Sequence, residues 1–173
     1  MASATDIDMG GMTLVVKDVK TGATETGQDS NTRQTTAAGG TETITRATHL
    51  GRIVLLDTAS GSVCTLPAAA GTGDTYRFFV STTVTSNSHI VKVANASDTM
   101  VGMLETATTT GATTNGFCEA AGGTDDTITM NGTTTGGIVG TYIECTDIAT
   151  NLWLVYGQII GSGALATSLS ASV

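Results

Sequence analysis

The chain has 173 residues, enough for one domain of ordinary size with an arm attached. It is 40% hydrophobic, only 13% charged and carries a formal net charge of −8; residues 93–173 hold seven Asp and Glu and no Lys or Arg. A surface of that sign repels phosphate, so neither nucleic acid nor an anionic membrane is an expected partner, and no run of about 20 apolar residues exists to span a bilayer.

Threonine makes up about a fifth of the chain and there are 22 glycines. β-branched side chains pack well on a pleated surface, whereas frequent glycine disfavours long helices. An all-β fold is expected. The opening MASATDIDMGG has neither the basic region nor the apolar core of a secretory signal.

Residues 1–48 contain one apolar run, Leu14–Val15–Val16, and then polar text rich in Thr and Gly. Such a tract cannot bury enough to fold alone. It reads as a flexible N-terminal tail or, since a wholly solvated tail has no need of Leu-Val-Val, as an extended N-terminal arm that becomes ordered on another subunit, the reading preferred. Leu14, Val15 and Val16 are its docking strand, and Lys17, Lys20, Arg33 and Arg46 its cationic contacts.

From His49 the texture becomes that of a β-domain spanning 49–173. Ile53–Leu56 is a short apolar run expected to be covered on both faces. Thr75–Val80 alternates, with Tyr76, Phe78 and Val80 on one face. His89–Val93, Thr127–Met130, Tyr142–Thr146 and Leu152–Gln158 continue the pattern, and Val63–Leu66, Met100–Leu104 and Phe117–Ala120 are weaker candidates. Roughly eight or nine short strands separated by turn clusters describe an antiparallel β-sandwich or a jelly-roll-like barrel. The text at 64–80 is echoed at 128–145, as two hairpins with like turn chemistry or as two similar halves of a sandwich.

The chemical motifs are thin. Gly71-Thr72-Gly73-Asp74 has the outline of a phosphate loop, yet aspartate stands where a P-loop needs lysine, and strand text follows where a helix is required. It reads as a connection between two strands, with Pro67 stopping the first. His49 and His89 lack a third metal ligand at a usable spacing, and Asp125–Asp126 lacks the alternating oxygens of a calcium loop. Ser62 is not in a nucleophile elbow. Asn95 and Asn131 head glycan sequons but read as turn residues, and His89 as an exposed or satisfied strand residue. Cys64, Cys118 and Cys145 read as small buried hydrophobes made in a reducing compartment. No catalytic residue, metal or cofactor is expected.

Taken together, GRIVLLDTASGSVCTLPAAAGTGDTYRFFV, TSNSHIVKVANASDTM and DTITMNGTTTGGIVGTYIECTDIATNLWLV resemble the head-decoration (cement) proteins of tailed bacteriophages. The resemblance implies a β-rich homo-oligomer, a trimer, that binds the major capsid protein on the capsid exterior after assembly in the host cytoplasm. Members of that group have no catalytic residues. The alternative is a receptor- or glycan-binding module of a tail fibre or baseplate, which would favour exposed aromatics at loop tips.

Overall fold

The computed structural model describes residues 40–110, 116 and 118–173 in full, and the backbone of three further strands at 6–9, 12–15 and 34–36. The chain divides into two compact units, Met1–Ser30 and Asn31–Val173. In the first, β1 (Asp6–Met9) and β2 (Met12–Val15) form an antiparallel pair that sets Leu14 opposite Ile7 and Val15 opposite Asp6. Val16, Lys17, Lys20 and Arg33 lie outside the described residues.

Residues 31–48, expected as the inner part of the arm, contribute elements to the second unit. These are β3 (Gln34–Thr36), β4 (Gly40–Thr43) and the single-turn helix α1 (Arg46–His49). The remaining strands are β5 (Ile53–Leu56), β6 (Ser62–Thr65), β7 (Thr75–Val80), β8 (His89–Lys92) and β9 (Thr99–Thr108). They continue with β10 (Cys118–Gly122), β11 (Thr127–Met130), β12 (Tyr142–Ala149), β13 (Leu152–Gly161) and β14 (Leu169–Ser170).

Two sheets result. A seven-stranded sheet runs β10-β9-β13-β12-β7-β5-β3 and a five-stranded sheet runs β14-β11-β8-β6-β4; neither closes into a barrel. Their inward residues share one core, with Val54, Tyr76, Phe78 and Trp153 from the large sheet meeting Cys64, Val91, Ile128 and Met130 from the small one. The Tyr76 and Trp153 rings pack tilted at 55°, with centroids 5.9 Å apart.

The expected antiparallel order is corrected: both sheets are mixed. β3, β5 and β7 pair in parallel, as do β4, β6 and β8, and β9 pairs in parallel with β13 over ten residues of each. Parallel neighbours need a crossover, usually a helix. Here each crossover from β3 to β8 is the next strand, laid in the opposite sheet. Apolar alternation reports which face of a strand is buried and is blind to the direction of its neighbour.

The same correction reaches the echo. β6 and β7 belong to different sheets, and so do β11 and β12. Residues 66–74 and 131–141 are therefore arches from the small sheet to the large one. Neither is a hairpin turn.

Candidate functional site

The arch at 66–74 does cradle an anion, and the anion is the protein's own. Strand β12 points Ile143, Cys145 and Asp147 inward, and its pairing with β13 slips just after Asp147. Asp147 is 2% exposed. Its carboxylate accepts the backbone N–H of Gly71 at 2.6 Å, those of Ala70 and Thr72 at 3.0 Å, and the Thr72 hydroxyl at 2.9 Å. Burial opposes ionisation here, but these donors outweigh it and hold the Asp147 carboxyl below the usual carboxylate range. Gly71 and Gly73, both at φ +75°, bend the backbone so that successive N–H groups converge.

Other buried acids do similar work. Asp98 accepts the Ala69 N–H at 3.0 Å. Glu119 of β10 and Asp126 before β11 hold residues 167–173. In the second arch the acceptor is local, since Asn131 Oδ1 takes the N–H groups of Thr133 and Thr135. Asn95 accepts from Ser97 and Asp98 in the same way, so both sequon asparagines are turn residues.

Beside the first arch lies a cleft of about 460 Å³ between the strand-to-helix corner at Thr43–Arg46 and residues 67–74. Ile44, Pro67, Tyr76 and Trp153 form its apolar wall, and Arg46 pairs with Asp74 across it at 3.0 Å. Arg46, an expected arm cation, is thus engaged within its own domain, though its side chain remains 65% exposed. Burial, then the Asp74 carboxylate, pushes the Tyr76 hydroxyl up, so it stays protonated. Trp153 is 1% exposed, so no sugar ring can stack on its face.

His49 and His89 are both buried. His49 Nδ1 accepts the Thr45 N–H at 2.9 Å, and Nε2 lies 3.4 Å from Glu42. His89 Nε2 approaches the Thr82 carbonyl at 3.4 Å, while Nδ1 has no partner among the described residues. The expectation of an exposed or satisfied His89 is corrected: the ring is buried, and only one of its two nitrogens has a partner among the described residues. No group of three or more His, Cys, Asp or Glu among the described residues is arranged to hold a metal ion. Cys64 and Cys145 are buried as expected, with burial pushing the Cys64 thiol up to about 12. Cys118 is exposed on edge strand β10, because pairing with β9 turns Glu119 inward in its place.

His89 gives the domain a pH dependence of definite sign. Burial lowers its pKa, with the Thr82 carbonyl and Asp57 opposing. The unfolded chain takes up the proton first, so stability is full above about pH 6.5 and falls as pH drops through that value towards the folded pKa. Asp126 and Asp147 are depressed carboxylates, so their contributions persist there and fade only below about pH 4. Urea midpoints at pH 7, 6 and 5 should fall steadily in the wild type and stay flat in His89→Met; parallel slopes would disprove the assignment.

A second candidate surface is the outer face of the seven-stranded sheet. One row across it reads Leu55, Phe79, Tyr142, Gln158, Glu105 and Cys118. The next reads Ile53, Arg77, Glu144, Tyr156, Met103 and Ala120. A third begins Thr75, Thr146, Leu154 and Val101. Tyr156 is 56% exposed and Leu154 39%. At the centre the Arg77 guanidinium donates to Glu144 at 2.9 Å, and the Tyr142 hydroxyl donates to the same carboxylate at 3.1 Å. The Arg77–Glu144 pair is neutralised internally, so a partner can cover it without stranding either charge, while Glu105, exposed in the first row, is a further carboxylate that a partner has to match. Tyr156, expected in apolar strand text, is the most exposed large apolar side chain on this face.

The chain matches no known protein family, no curated protein and no solved structure.

Proposed function

We propose that this protein is a structural subunit of a virion: a two-sheet β-sandwich that decorates the outer surface of a phage capsid as a homo-oligomer, a trimer, bound to the major capsid protein. The observation that carries the reading is the outer face of the large sheet, where Tyr156 and Leu154 stand exposed beside one satisfied ion pair, with Glu105 towards the β10 side, on a chain of net charge −8. The buried carboxylates point the same way, since each is engaged in bracing an arch or a terminal segment, a use suited to rigidity. In this reading the chain has no catalytic role, and residues 1–30, with Leu14 and Val15 in β2, act as a tether to a neighbouring subunit or shell. Many modest contacts on one particle then sum through multivalency.

The test is binding to capsids assembled without this protein. A Leu154→Glu, Tyr156→Glu double variant should keep its far-ultraviolet circular dichroism and lose at least about tenfold in capsid affinity, on the order of 1.4 kcal/mol. Unchanged saturation of the capsids would remove this face from the proposal. The glycan-binding reading has one foothold, the Arg46–Asp74 cleft. Retention of an oligosaccharide by the wild type, lost in Asp74→Ala, would favour it instead.

A further inference from the structure

Residues 167–173 lie in a groove between edge strand β10 of the large sheet and β11 of the small one. Glu119, 6% exposed, reads them from one side. It accepts the Ser168 N–H at 2.8 Å, the Ser168 hydroxyl at 2.6 Å, the Thr167 hydroxyl and, more weakly, the Leu169 N–H at 3.4 Å. Strand β11 reads them from the other side, through β14 and through Thr129 N–H donating to the Ser168 carbonyl at 2.8 Å. Asp126 closes the far end, accepting the N–H groups of Ser172 at 2.7 Å and Val173 at 3.2 Å. Leu169 is the one large apolar side chain of the segment buried in the core.

Two features set this segment apart from the other strands. The groups that recognise it fall between Glu119 and Thr129, and none depends on the path by which it arrives. The connection leaving β13 begins Ser162-Gly163-Ala164; a Cβ at Gly163, where φ is +72°, would meet nothing within 4 Å. Three bonds hold the connection, from the Ser162 and Ala166 N–H groups to the Thr133 and Thr134 carbonyls at 2.9 Å and from the Gly163 N–H to the Thr110 hydroxyl at 2.7 Å. An emptied groove would strip Glu119 of its donors from residues 167–169 and leave the β11 edge unpaired, so it favours an occupant of the same chemistry. That chemistry is an extended peptide with two successive hydroxyl residues followed by leucine. Thr-Ser-Leu occurs once in the sequence, at 167–169.

We infer that the groove between β10 and β11 is a peptide-binding site that takes residues 167–173 from its own chain or from a second copy, so that copies can be tied together by exchanging this segment. Exchange preserves the hydrogen bonds that residues 167–173 make in the groove, and the bonds it has to give up or remake are those of the hinge, at Ser162, Gly163 and Ala166. It is strand addition at a sheet edge, with Glu119 and the Leu169 pocket supplying specificity. The inference is independent of which surface the protein decorates.

The experiment uses the full chain and a fluorescent synthetic peptide of residues 164–173. In Leu169→Ala the chain's own segment loses its anchor, so this variant should take up the peptide at one per chain and at least about tenfold more tightly than the wild type. A scrambled peptide, and the same peptide with alanine at the leucine, should not enter. Ser168→Ala, a milder change, reads the same ratio if Leu169→Ala does not fold. Absence of uptake by a natively folded variant would overturn the inference, as would equal uptake of scrambled and native peptides.

Discussion

Replacing Asp147 with alanine is expected to cost about 4 kcal/mol of unfolding free energy, read from urea midpoints at pH 7. The figure follows from the donors it leaves behind: three backbone N–H groups and one hydroxyl lose their acceptor, at about 1–3 kcal/mol for each that water cannot reach. Asp147→Asn should recover little, because its amide NH₂ would face donors. Since the arch is built to surround a carboxylate, 100 mM acetate should raise the melting temperature of Asp147→Ala more than chloride does, and leave the wild type unmoved. A loss below about 1 kcal/mol together with no acetate effect would mean that the arch holds its shape unaided.

Gly102→Ala is the second large effect, expected to exceed about 3 kcal/mol. Gly102 sits inside β9 at φ +128°, where a Cβ would fall 2.0 Å from the Val155 carbonyl oxygen on β13. Neither the backbone conformation nor the space accepts a side chain, and the parallel β9–β13 ladder has to part to admit one. Gly73→Ala is the control. It has a positive φ of 75° but nothing within 4 Å, so it should pay strain alone, about 1–2 kcal/mol. Thermal unfolding of the two side by side separates the contributions; equal losses would mean that the close approach at Gly102 relaxes freely.

Much of this architecture is legible in the residues, and the part that is not has a physical reason. The bounds of β7 and β11 follow from apolar alternation, because an inward position on a pleated strand must be apolar or satisfied; those of β5 follow from its continuous apolar run, although only Val54 and Leu56 are buried and its other face is half-covered. Tyr76, Phe78 and Val80 are buried for that reason. The parallel pairing was hidden because a strand crossing to the other sheet leaves no helical text between its neighbours. Asp147 did leave a signal. In Tyr142–Asp147 the inward positions are Ile, Cys and Asp, and an acid in an apolar register has to find donors. The sequence could not say that they would come from Ala70, Gly71 and Thr72, more than 70 positions earlier. Glu119 was masked by its neighbour, since Cys118 looked like the residue to bury until pairing with Leu104 fixed the register.

The ladder between β9 and β13 also has a mechanical meaning. The strands run in the same direction, Leu152 opposite Thr99 at one end and Gly161 opposite Thr108 at the other. A pull that enters at Thr99 and leaves at Gly161 therefore slides one strand along the other and loads the ladder's hydrogen bonds together. An antiparallel hairpin pulled from its two open ends gives way one bond at a time. Under the proposed role on a pressurised shell, that pairing would place the β9–β13 ladder in shear, the geometry in which its bonds share a load.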